Sequence, residues 1–220
     1  MRQRLALAKL SVTRRAEYRL YRRYRDTTMI PCAKFIDNLL LCRQAERVDG
    51  AIVECGCWRG GMSAAMAQVL LRRESVLFDS FEGLPPAGEL DGNSARAFLA
   101  RGDTLAVQED AARHAMRRAG SAEVRIIKGW FSDTVPKFAS EQARIAVLRL
   151  DGDWYESTMT CLEHLFPLVP LRGLVIMDDY DTWEGCTRAV HDYLSAHRRP
   201  EPIQYTRYGT AYLWKREAAS

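Results

Sequence analysis

Five short apolar runs recur along the chain at intervals wide enough to hold a helix: Ala51 to Gly56, Ser75 to Ser80, Val124 to Lys128, Ile145 to Leu150 and Gly173 to Met177. Each is bounded by polar residues, and most are apolar throughout rather than alternating. Continuous apolar strands separated by helical spacing belong to a parallel sheet covered by helices on both faces, so the expected fold class is α/β. Pro202 to Tyr208 and Ala211 to Lys215, around Gly209-Thr210, read as a hairpin closing the sheet.

The 220 residues, 47% hydrophobic, suit one substantial core. Residues 14 to 48 read as two helices broken at Pro31, with Phe35, Leu39 and Cys42 or Leu40 on one face. They form a helical arm, 1–48, ahead of the sheet-bearing domain, 49–220. Met62 to Leu71 is helical, entered through Gly60 and Gly61. Glu82 to Arg113 is the least regular stretch, with Pro85 and Pro86 ahead of a helix from about Thr104. Both a mobile lid and an ordinary surface loop fit it.

Six cysteines without CxxC pairing or zinc spacing read as free thiols. No long apolar run and no secretory core occur, so a soluble, cytoplasmic protein without a membrane partner is expected. The net charge of +4 is concentrated: residues 1 to 25 hold nine Lys/Arg against Glu17 alone, and the remainder is slightly acidic. Such an arm is more often a solvated face or an oligomer contact than a nucleic-acid site. A homo-oligomer, and no nucleic-acid partner, is the expectation.

In an open parallel sheet, ligands bind beyond the carboxyl ends of the strands. The first strand ends in Glu54-Cys55-Gly56-Cys57-Trp58-Arg59-Gly60-Gly61-Met62-Ser63, where glycines such as Gly56 let backbone approach a ligand. A carboxylate at Glu54 suits a cationic amine better than a phosphate, and S-adenosylmethionine carries both an ammonium and a sulfonium. Asp79, ending the second strand, is placed to accept the hydroxyls of an unphosphorylated ribose. After the third strand, Gly129-Trp130-Phe131-Ser132-Asp133 offers aromatic surface and a hydroxyl for adenine, although Phe131 reads better as core.

The fourth strand ends in Asp151-Gly152-Asp153 and the fifth in Asp178-Asp179. Neighbouring strand ends about 4.8 Å apart bring these carboxylates together, and their mutual repulsion calls for a cation. Hard oxygen ligands suit Mg²⁺ or Mn²⁺, with Asp151, Asp178 and Asp179 as metal ligands. Asp153 is the candidate base for a hydroxyl made nucleophilic toward a sulfonium methyl. Helix N-caps at Asp153 and Asp179 are the purely structural alternative. His191 reads as packing or surface.

Val53-Glu54-Cys55-Gly56, Trp58-Arg59-Gly60-Gly61, Phe78-Asp79-Ser80-Phe81-Glu82-Gly83-Leu84-Pro85, Leu148-Arg149-Leu150-Asp151-Gly152-Asp153-Trp154-Tyr155 and Asp178-Asp179-Tyr180 together resemble the macrocin O-methyltransferase family, whose members modify sugars on natural products. The similarity runs from about Thr28 to Lys215. It implies a Rossmann-like class I methyltransferase fold with a mostly parallel seven-stranded sheet, Mg²⁺ on Asp151, Asp178 and Asp179, and Asp153 as base. It implies adenosylmethionine contacts at Glu54, Gly56, Arg59, Ser63, Asp79, Ser80 and Asp151, with Ser132 near adenine, and a cofactor lid at Thr28 to Pro31 that includes Met29. The partner implied is a small molecule with a free hydroxyl, on a sugar in the family pattern. Cys57 departs from the aliphatic residue usual there.

A phenol or catechol acceptor fits the same chemistry. Asp151-Gly152-Asp153 is also an Asp-x-Asp motif of the kind glycosyltransferases use, but that reading leaves Glu54, Asp79 and Asp178-Asp179 unexplained. An RNA methyltransferase using the basic arm, and a module that only binds the cofactor, complete the alternatives.

Overall fold

The computed structural model describes residues 10–102, 104–121 and 123–217. Arg2, Arg4 and Lys9 of the basic arm lie outside the described residues. The chain begins with helices α1 (Arg15–Tyr24) and α2 (Cys32–Gln44), then enters strand β1 (Ala51–Cys55). There follow α3 (Gly61–Val69), β2 (Ser75–Asp79), α4 (Gly92–Leu99), α5 (Glu109–Ala119) and β3 (Val124–Lys128). Then come α6 (Phe131–Ala139), β4 (Ile145–Leu150), α7 (Tyr155–Leu165), β5 (Leu174–Met177), α8 (Glu184–Ala196), β6 (Gln204–Tyr205) and β7 (Ala211–Trp214).

The sheet has seven strands in the order β3-β2-β1-β4-β5-β7-β6. β1 to β5 run parallel, and β7 pairs antiparallel with both β5 and β6. The strand order reverses between β1 and β4, and that is where an open α/β sheet opens a crevice at its carboxyl edge. The expected α/β class and terminal hairpin are both observed.

Side-chain alternation sorts each strand between two cores, one on each sheet face. Ile52, Leu77, Val147 and Ile176 pack with Phe35, Leu39 and Met66 on one face. Val53, Phe78, Leu148 and Val175 pack with Phe138, Leu165 and Leu213 on the other. Phe35, Leu39 and Cys42 of α2 are wholly buried in the first core, so the arm is anchored to the sheet by its own apolar face.

The stretch from Glu82 to Arg113 is more regular than its composition indicates. It contains a short 3₁₀ turn at Glu89–Asp91, the helix α4, and the start of α5 at Glu109 rather than near Thr104. The helical signal is weak because α4 opens on Gly92 and buries only Ala95. Asp91 anchors the segment instead: its buried carboxylate accepts the Tyr155 N–H at 2.6 Å, at the start of α7, and the Gly88 N–H at 2.7 Å. All six cysteines are free and buried. No helix among the described residues is long and apolar enough to cross a membrane.

Candidate active site

Glu54 and Arg149 are register partners on β1 and β4, and they face the side of the sheet occupied by α2. Arg149 is completely buried. Its Nη1 donates to Glu54 Oε1 and to Asp151 Oδ2, each at 2.7 Å. Its Nη2 lies 2.7 Å from Asp178 Oδ1, and its Nε donates to Asn38 Oδ1 of α2 at 3.2 Å. One guanidinium therefore ties together three carboxylates from the ends of three adjacent strands. Ser63, on α3, donates to the other oxygen of Glu54. Burial pushes the Glu54 carboxyl up to about 7, against the opposing pull of Arg149.

Asp151, Asp178 and Asp179 each offer one carboxylate oxygen, and the three lie within 4.8 Å of one another. Burial raises the Asp151 and Asp179 carboxyls; the Arg149 charge opposes this for Asp151, and the neighbouring carboxylates add to it for Asp179. Close, partly desolvated hard oxygens whose anionic forms disfavour one another are a donor set that fits a small divalent cation.

Asp153 sits at φ +57° in a tight turn closed by the Trp154 N–H donating to Gly152 O at 2.6 Å. A non-glycine residue in the left-handed region at a strand end is the kind of local strain that clusters at functional sites. The turn aims the side chain at Trp183, whose Nε1 donates to Asp153 Oδ1 at 2.8 Å. The Trp183 ring packs edge-on against Trp154 and Phe98, with centroids 5.1 and 5.4 Å away. Burial, with the Asp151 charge next, raises the Asp153 carboxyl to about 7.

At the other end of the crevice, Asp79 receives the Trp58 N–H on Oδ2 and the Phe81 N–H on Oδ1, both at 2.7 Å. Each oxygen keeps a lone pair for a ligand hydroxyl. One cavity of about 390 Å³ is bordered by Glu54, Gly56, Asp79 and Ser80, by Met29 and its neighbours from Thr27 to Pro31, and by Asp151, Asp153, Asp178 and Asp179. Trp130 and Phe131 also border it, so Phe131 serves both the cavity and the second core.

Gly56, which borders the cavity, also meets a constraint inside the protein. At φ +89°, a Cβ on it would stand 1.7 Å from the Asp151 carbonyl oxygen, so glycine is needed for β1 to close on β4.

Three of the proposed cofactor residues do not border the cavity. Ser63 acts behind Glu54, Ser132 is exposed, and Arg59 is exposed with its guanidinium over the Trp58 ring at 4.4 Å. His191 is on the surface, with Nε2 2.7 Å from the Tyr180 hydroxyl. Arg149, Asn38, Trp183 and Asp91 were not singled out from the sequence. Only Arg149 carries a local signal, a charge inside an otherwise apolar strand.

Comparison with known proteins agrees with this geometry. The family model of macrocin O-methyltransferases (TylF) matches residues 24–216. A 4'-O-methyltransferase of Streptomyces olivaceus, acting on 8-demethyl-8-(2,3-dimethoxy-alpha-L-rhamnosyl)-tetracenomycin-C, is 39% identical over 200 residues, covering 85% of this chain and 75% of the relative. The mycinamicin III 3''-O-methyltransferase of Micromonospora griseorubida is 32% identical over 204 residues, covering 84% and 77% respectively. The solved structure of the O-methyltransferase NovP superposes with a TM-score of 0.75 at 31% identity, covering 87% of this chain and 83% of that one. The fold is that of class I O-methyltransferases, and the chain is an S-adenosylmethionine-dependent methyltransferase that belongs to the macrocin O-methyltransferase family.

Proposed function

We propose that the protein transfers a methyl group from S-adenosylmethionine to a sugar hydroxyl of a glycosylated small molecule, with Mg²⁺ held by Asp151, Asp178 and Asp179. The observation that carries this reading is the shared cavity: Asp79 and Glu54 border the same space as the three-carboxylate cluster and Asp153. The tetracenomycin and mycinamicin relatives support a glycoside as acceptor through the substrates in their names.

In this reading Asp79 accepts the ribose hydroxyls, with its carboxylate fixed in advance by the Trp58 and Phe81 N–H groups. Glu54, which borders the same cavity, would serve the amino-acid end of the cofactor, and Met29 and its neighbours would cover it. The bound cation supplies Lewis acidity that eases deprotonation of an acceptor hydroxyl. Asp153 takes that proton on its carboxylate, and Trp183 holds the Oδ1 oxygen so that Oδ2 is left for the transfer.

The test is a screen of rhamnosyl and related deoxysugar glycosides with trideuteromethyl-labelled adenosylmethionine, followed by mass spectrometry. The expected product carries the label on the sugar and disappears when the chelator EDTA is added or when Asp151 is replaced by Asn. Label on an aglycone phenol would replace the sugar reading. Full turnover in excess chelator would remove the metal.

A further inference from the structure

The feature left without a role by this scheme is Arg149, a cation buried at the point where the cofactor end and the carboxylate cluster meet. An isolated buried guanidinium is strongly unfavourable, so its presence needs compensation. Here Glu54, Asp151 and Asp178 all lie 2.7 Å away, and Asn38 takes its Nε. The fork geometry has a directional consequence. Arg149 donates to Oδ2 of Asp151, which fixes the rotation of that carboxylate, and its Nη2 stands 2.7 Å from Oδ1 of Asp178 as an ion pair that holds the second carboxylate beside the first. A planar guanidinium presents its donors in fixed directions to both strand ends, whereas an ammonium is a point charge on a flexible stem whose donors rotate.

We propose that Arg149 is the positioning residue of the cation site, holding Asp151 and Asp178 in ligating orientation before the metal arrives. The inference rests on the reading of Asp151, Asp178 and Asp179 as metal ligands. It also makes a prediction opposite to simple electrostatics. A positive charge beside the cluster repels a dication, so if charge alone mattered, weakening Arg149 would leave metal affinity unchanged or improve it. If positioning matters, replacing the fork at constant charge must weaken binding.

The experiment measures Mn²⁺ binding to the protein without acceptor or adenosylmethionine, by electron paramagnetic resonance of the free ion. Wild-type protein is expected to bind one Mn²⁺, with Asp179→Asn as the negative control. Failure of the wild type to bind would overturn the metal reading itself. Given wild-type binding, Arg149→Lys, with its fold checked by circular dichroism, is expected to raise the Mn²⁺ Kd at least tenfold. An unchanged or lower Kd would overturn the positioning role while leaving the metal site standing. Should Arg149→Lys not fold, Asn38→Leu removes the Nε acceptor, together with the Asn38 amide's bonds to Lys34 O and Thr210 Oγ1, and keeps every charge. A rise of about threefold or more in Kd supports the proposal, and an unchanged Kd refutes it.

Discussion

Replacing Gly56 with Ala separates two reasons for a glycine at the end of β1. If the residue is small to admit a ligand, the unliganded protein should tolerate a methyl group, and only adenosylmethionine binding should suffer. The structure assigns the space to the protein itself. The added Cβ would sit 1.7 Å from the Asp151 carbonyl oxygen and 2.7 Å from its carbon, where distances under 3.0 Å do not occur, so the ends of β1 and β4 must part by more than 1 Å. The φ of +89° adds a left-handed penalty of about 1–2 kcal/mol for alanine. Displacing packed backbone adds about 1–3 kcal/mol. The entropy gained by removing glycine from the unfolded chain, about 0.4–1 kcal/mol, does not offset this. The expected net loss of about 1–4.5 kcal/mol lowers Tm by about 2–18 °C for a domain of this size. Differential scanning calorimetry without cofactor is the assay. A Gly56→Ala protein melting within about 2 °C of wild type would refute the close-approach argument.

Trp183→Phe keeps an aromatic ring beside Trp154 and Phe98 but removes the N–H held by Asp153. Turnover should fall about 10- to 100-fold, the equivalent of a lost hydrogen bond to a charged group, with adenosylmethionine affinity unchanged. A wild-type rate would show that the indole N–H does not orient Asp153. Asp91→Ala should cost about 1–3 kcal/mol, because the Tyr155 and Gly88 N–H groups lose a charged acceptor. An unchanged thermal midpoint would mean that something other than Asp91 holds residues 85–99 in place. All six thiols should resist Ellman's reagent in the native protein and react after unfolding, since each is buried and burial raises Cys32 to about 11 and Cys42 to about 12. Rapid native labelling of any of them would contradict the packing described for that residue.

The parallel sheet was legible because continuous apolar runs are a local property. Burial on both faces leaves its mark in each central strand separately, as in Ala51–Cys55 and Leu174–Met177. The carboxylates at the strand ends were legible for the same reason: a ligand crevice lies at the carboxyl edge, so Glu54, Asp79, Asp151 and Asp178 follow once the strands are drawn. Segments such as α4 were not, because Gly92–Leu99 buries little of its own surface and is held by Asp91, a contact spanning 64 residues of sequence.

The sequence by itself determined the class of sheet, the edge on which the site forms and the acidic residues gathered there. Only the tertiary structure decided how those acids are shared. Register puts Glu54 opposite Arg149, alternation puts Asp151 and Asp178 on the same face, and the turn at Asp153 hands its carboxylate to Trp183. These partnerships join residues on different strands and loops, and no local pattern records them. Hydrogen-bond direction and desolvation act over a few ångströms of space and are indifferent to separation along the chain. The same geometry added a reason for Gly56 that the sequence did not carry, room for the Asp151 carbonyl.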